Sequence, residues 1–211
     1  MNLNLPQTGV FSSDRYFMND SSAAQHPKLF QFLGAIDDDL ATQCRVLGCR
    51  FCGGVLHSAR YPRKPRADPT QLDATAPTTR QSFCCDRCRR RTTPASVSFL
   101  GRRVYPGLVV VLLSAMQSGV TNKTVQDLRS SLGVARRTLQ RWRRWWRECF
   151  VRTQFWQIEQ GRFMPIVESG DLPASLLNRF LGCDARSRLI GCLRFLSPLT
   201  IPGAIKLNDV R

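Results

Sequence analysis

The 211-residue chain carries 31 lysines and arginines against 15 aspartates and glutamates, a formal charge of +16 that needs a polyanionic partner or a reason to do without one. Hydrophobic residues make up 43 %, enough for a folded core, yet no apolar run approaches the about 20 residues that span a bilayer. The segment after Met1 lacks a basic start followed by an apolar stretch, so neither a secretory signal nor a membrane anchor is expected.

Residues 1–26 read as a weakly ordered lead-in. Pro27 then opens a helical pattern, with Leu29, Phe30, Leu33, Ile36 and Leu40 recurring at spacings of three and four, and residues 1–43 form an N-terminal segment with this one amphipathic helix. Residues 44–93 read as short strands around two cysteine knuckles, with Val55-Leu56 and Gln81-Ser82-Phe83 as ribbon strands. A stretch rich in Pro, Thr and Arg, residues 61–80, interrupts them as an exposed insertion.

Residues 94–150 form the next unit. Pro106–Ser118 is a strongly apolar helix ended by Gly119, Thr121 caps a second helix over Asn122–Ser131 with Val125 and Leu128 inward, and Gly133 supplies a tight turn. A third helix runs from Ala135 to Phe150. In the last segment, 151–211, short helices are predicted at Pro173–Leu181 and at Ala185–Leu196, the latter with Asp184 as cap and Pro198 as stop. The expected fold class is therefore mainly α with a small β zinc ribbon, a three-helix helix-turn-helix domain and short C-terminal helices.

The charge is unevenly placed. Residues 1–43 are net −3, residues 44–150 net +16 and residues 151–211 net +3, so the excess lies where the cysteines and the three helices are. Only Lys28, Lys64, Lys123 and Lys206 among the basic residues are lysine. Guanidinium suits phosphate and guanine edges because its planar fork donates two parallel hydrogen bonds.

Two CxxC pairs, Cys49/Cys52 and Cys85/Cys88, have the spacing of metal knuckles, each turn presenting two thiolates to one Zn2+ ion in a tetrahedron. The intervening 32 residues exceed the usual span of about 15–20, an excess accounted for by the insertion. Cys84 in place of Cys85, and Cys44 or His57 at the first knuckle, are alternative ligands. Cys149, Cys183 and Cys192 sit at apolar helical positions where cysteine behaves as a small hydrophobe. Four thiolates close a structural site rather than leaving a catalytic position open.

In the third helix, a rotation of about 100° per residue puts Leu139, Trp142, Trp146 and Phe150 on one face. Arg136, Arg137, Gln140 and Arg141 are the candidates for base edges in a major groove, with Arg144 reaching bases or phosphate. Thr121, Lys123, Arg143 and Arg147 fall nearer the DNA backbone, and Arg89, Arg90, Arg91, Arg102 and Arg103 add a basic strip for phosphates. Trp145 suits the core, a partner or a sugar equally.

The order of parts, a CxxC…CxxC ribbon ending in Cys88-Arg-Arg-Arg-Thr-Thr-Pro, then a Pro-started helix and a helix-turn-helix with Thr138-Leu-Gln-Arg-Trp, resembles the N-terminal end-recognition half of bacterial insertion-sequence transposases. The resemblance covers about residues 44–150. It implies binding of double-stranded DNA at an element's ends through Cys49, Cys52, Cys85, Cys88 and the third-helix arginines. Such transposases continue into an RNase-H-like domain, for which the about 60 residues after Phe150 are too few.

The expectation is thus a non-catalytic, site-specific DNA-binding protein of a mobile element, cytoplasmic and associated with the nucleoid. Its expected partners are duplex DNA, a recombinase or transposase engaged by the leucine stripes of residues 151–211, or a second copy of the chain. Those stripes would serve equally to complete the core. A zinc-containing transcriptional regulator and a truncated transposase are the alternatives.

Overall fold

The computed structural model describes residues 27–58, 61–62, 79–100, 105–115 and 134–201. Helix α1, Pro27–Leu47, begins with proline at a position where the missing N–H costs nothing and ends before Gly48, whose φ of 73° provides the left-handed stop. Leu29, Phe30, Leu33 and Ile36 are buried as the period predicts, and Leu40 is half-buried.

Three short strands follow the cysteines. Strand β1 (Leu56–Ser58) pairs antiparallel with β4 (Phe83–Cys85), and β4 with β5 (Arg91–Thr92), giving the sheet order β1-β4-β5. Leu56 lies opposite Cys85 and Ser58 opposite Phe83. The predicted ribbon strands are thus present but displaced by about two residues toward the C-terminus. Gln81 and Ser82 instead link β4 to a separate two-residue pairing, β2 (Tyr61–Pro62) with β3 (Thr79–Arg80), which closes the root of the insertion; residues 63–78 lie outside the described part.

A last small pairing, β6 (Phe99–Leu100) with β7 (Tyr105–Pro106), leads into helix α2, Gly107–Ala115. Pro106 therefore closes a strand instead of opening the helix. The predicted second helix, Asn122–Ser131, with Thr121, Lys123 and the Gly133 turn, and likewise Arg102 and Arg103, lie outside the described residues. Helix α3, Arg136–Arg144, packs against α2 and continues through one π-helical turn, Trp145–Cys149, and a 3-10 turn, Phe150–Arg152.

Thr153 stops that run. Its buried hydroxyl donates to the Phe150 carbonyl at 2.7 Å and accepts the Trp156 N–H at 3.1 Å, capping α4, Gln154–Glu159. Helix α5 is only Ala174–Leu177, shorter than the predicted Pro173–Leu181, because the chain turns at Asn178 and swings Phe180 into a ring cluster with Phe163 and Phe195 at centroid separations of 5.2–5.9 Å. Helix α6, Ala185–Leu196, has the predicted bounds. Asp184 accepts the Ser187 N–H at 2.6 Å at its start, and this bond is the main cause holding the carboxyl below its usual range.

Two apolar clusters result. The larger joins α1, α2, α3, α5 and α6 through Leu33, Val111, Trp146, Phe150, Leu176 and Leu193. The leucine stripes of residues 151–211 therefore go to the core: Leu176, Leu177, Leu189, Leu193 and Leu196 are buried, while Leu181 is exposed. The smaller cluster holds Ala41, Leu56 and Phe83 around Cys49 and Cys85. Helix α1 serves both.

Between its apolar contacts α1 carries Asp37, Asp38 and Asp39. Asp37 accepts the Val97 N–H at 2.6 Å and the Ser96 hydroxyl at 2.7 Å, while Asp38 accepts Gln81 Nε2 at 2.9 Å. Burial pushes the Asp37 carboxyl above its usual range despite these bonds. Among the described residues, no helix is long and apolar enough to cross a membrane.

Candidate metal centre and arginine helix

The sulfurs of Cys49, Cys52, Cys85 and Cys88 all lie within 4.8 Å of one another, an arrangement compatible with one metal ion. Cys49 Sγ stands 3.5 Å from Cys88 Sγ, and Cys52 Sγ stands 3.4 Å from Cys85 Sγ. All nine cysteines are free thiols. The four predicted ligands are those brought together, and the alternatives fall elsewhere. Cys84 points its thiol at the carbonyls of Cys85 and Arg89, Cys44 packs half-buried beside the cluster, and His57 is exposed opposite Cys84 in the sheet. Burial alone pushes the Cys192 thiol up, as suits a core hydrophobe.

Local backbone geometry explains the convergence. In each knuckle the first cysteine's N–H bonds the carbonyl five residues on, Cys49 to Gly54 at 2.9 Å and Cys85 to Arg90 at 3.1 Å. The residue after each second cysteine is left-handed, Gly53 at φ 69° and Arg89 at φ 57°. The two halves are therefore copies of one turn. A Cβ on Gly54 would meet Asp86 Oδ1 at 2.7 Å and Cys85 Sγ at 2.9 Å, so only glycine lets the first knuckle close on the second. At Arg89 the left-handed backbone costs a residue with a side chain about 1–2 kcal/mol that glycine avoids.

The thiols are electrostatically unequal. Backbone N–H groups, first that of Phe51, draw Cys49 down to about 7. The Cys88 N–H pulls Cys85 the same way, but burial and the crowding of Cys52 and Cys88 sulfurs outweigh it and push Cys85 up to about 12. Cys88 is also raised, burial and neighbouring sulfurs overcoming the Arg90 N–H. One thiolate forms readily and four do not, unless a cation offsets their mutual repulsion.

No family model, curated protein or solved structure matches the chain.

The candidate DNA-reading residues fall on one exposed side. Arg136, Arg137, Gln140, Arg141 and Arg144 are exposed on α3, as is Arg147 on the π-helical turn, whereas Thr138, Leu139, Trp146 and Phe150 are buried and Trp142 is half-buried. Arg143 is half-buried, less open than its predicted place at a DNA backbone implies. The Arg141 guanidinium donates to Thr138 Oγ1 at 3.2 Å, and Arg144 meets Glu148 at 3.8 Å, a pair so exposed that it neutralises little. Trp145 belongs to the core: its ring contacts Trp146 at 4.8 Å and Phe150 at 5.6 Å. Arg89, Arg90 and Arg91 are exposed around the second knuckle.

Sequence reasoning missed Phe51. It is 46 % exposed inside the first knuckle, with the Arg50 and Arg90 guanidinium carbons each 4.7 Å from its ring centroid. Its position between two ligands was the available signal.

Proposed function

We propose that the chain is a zinc-containing, site-specific binder of double-stranded DNA, a non-catalytic accessory to transposition or recombination of a mobile element. Zinc is the ion of choice because four cysteine thiolates are its usual closed structural set, and metal–sulfur bonds of about 2.3 Å give a tetrahedron with edges of about 3.8 Å. The sulfur separations of 3.4 and 3.5 Å are close to that edge. In this reading the metal module is a zinc ribbon and the helices α2 and α3 belong to a helix-turn-helix.

The observation that carries the DNA reading is the one-sided exposure of α3. A helix whose inner face is locked by Trp146 and Phe150 holds Arg136, Arg137, Gln140, Arg141 and Arg144 outward, where guanidinium forks match guanine O6 and N7 and phosphate oxygens. Their like charges repel one another, a cost that a polyanion in contact would reverse. The mobile-element role rests on the resemblance of residues 44–150 to the end-recognition half of insertion-sequence transposases.

Selection of genomic fragments with the purified, zinc-loaded chain tests this. Element ends or recombination sites are expected in the recovered DNA; promoters would instead mark a transcriptional regulator, and nicking of the bound DNA in the presence of a divalent metal would overturn the non-catalytic part. For the recovered sequence, Arg137→Ala and Arg141→Ala are each expected to weaken binding by about 1–3 kcal/mol in a competition titration, with relaxed choice at the base each one reads.

A further inference from the structure

The knuckle pair carries a surface that its metal does not require. Because the two turns are copies, Arg89 stands where the first knuckle has Gly53, and Arg90 where it has Gly54. A scaffold serving only the ion would use glycine at the left-handed position. The sulfurs, moreover, take hydrogen bonds from backbone N–H groups of Phe51, Cys52, Arg87, Cys88 and Arg90, which leaves the arginine side chains to other uses.

Two of those side chains converge on one ring. Arg50, from the same knuckle, and Arg90, from the other, both stand over the ring of Phe51, and Arg50, Phe51, Arg87, Arg89 and Arg90 are all exposed. An aromatic ring under a guanidinium holds its plane by cation–π attraction while leaving the N–H edge outward, where it can donate to a phosphate oxyanion. The left-handed backbone of Arg89, which glycine would adopt without strain, is a second observation at the same turn.

We propose that Arg50, Arg89 and Arg90, with Phe51 as the positioning residue, are a second DNA contact of this protein: a clamp on the phosphodiester backbone of the duplex, separate from the arginine face of α3. It rests on the DNA-binding reading and adds a sequence-independent site to it. Its loss should weaken every duplex alike and flatten the salt dependence.

The test uses the full zinc-loaded chain and a short duplex of random sequence, titrated from low to moderate salt. Arg89→Gly removes both the side chain and the backbone strain. It is expected to raise the thermal midpoint by about 2–4 °C while lowering affinity about eightfold at 0.1 M salt, with the log–log salt slope shallower by about 0.9, the values for one phosphate contact. Phe51→Leu should weaken binding similarly, and Phe51→Trp should keep it, since only an aromatic ring orders the guanidiniums. Unchanged affinity and slope in Arg89→Gly, equal behaviour of the two Phe51 variants, or loss of zinc on introducing glycine at 89 would each overturn the clamp.

The two readings fail separately. If Arg137→Ala and Arg141→Ala abolish site preference while the knuckle variants are inert, the clamp falls and the recognition helix stands. If the unaltered chain ignores duplex DNA altogether, both fall.

Discussion

Cys85→Ser is expected to release the ion and unfold the two knuckles with their sheet, residues 48–58 and 83–92. Cys85 is fully buried, pairs through its backbone with Leu56 and lies among Ala41, Leu56 and Phe83, so the proposed metal site and the small apolar cluster share one residue. That cluster is too small to order the module by itself, and structural zinc contributes about 10–16 kcal/mol in comparable small modules at neutral pH. Cys85→Ser should therefore contain no stoichiometric zinc by elemental analysis and lose amide protection over 48–58 and 83–92 in hydrogen exchange. Cys84→Ser, whose sulfur bonds only backbone carbonyls, should keep both. Equimolar zinc in Cys85→Ser would sink the four-thiolate site.

The pH dependence follows from the same sulfurs. With Cys85 pushed up to about 12 and Cys88 raised as well, both carry protons at neutral pH without the ion, whereas Cys49, drawn to about 7, is partly ionised. Binding must displace those protons. Zinc affinity should accordingly rise with pH and fall steeply as the medium is acidified, which a competing chelator titration at several pH values would read out.

Trp146→Ala is expected to destabilise the helical core by about 3–5 kcal/mol, the range for removing a fully buried large aromatic side chain. Its ring meets Trp145 at 4.8 Å and Phe150 at 5.0 Å, and Phe150 in turn meets Trp156 at 4.9 Å, so truncation opens a void in the middle of an aromatic chain. Trp146→Phe should cost far less, since it keeps a ring and removes a buried indole N–H that has no hydrogen-bond partner among the described residues. Denaturant midpoints of the two variants give the comparison. A loss below 1 kcal/mol for the alanine variant, about the scale of a surface change, would mean that α3 is not anchored through this residue.

What the sequence disclosed depended on how local the deciding interaction is. The knuckles were legible because the two thiolates of a pair are three positions apart, and α6 because Asp184 and Pro198 mark its ends within the same stretch. The destination of the C-terminal leucines was not, since a stripe of Leu189, Leu193 and Leu196 looks alike whether it meets α2 or another protein. Asp37 and Asp38 gave no hint of their partners, which lie 59 and 43 positions away at Ser96 and Gln81. The Phe51 ring took its meaning from Arg90, a residue of the other knuckle, and the left-handed turn at Arg89 falls on a residue type that gives no sign of it.

Helix α1 touches both apolar clusters and grips the chain on either side of the second knuckle through Asp38 and Asp37. It is 21 residues long, about 30 Å of continuous rod, and such a rod transmits a tilt with little bending. The cysteine end and the tryptophan end accordingly share one rigid element. A disturbance at the sulfurs is therefore expected to reach the aromatic core, with indole fluorescence as the distant gauge of whether the thiolates are filled.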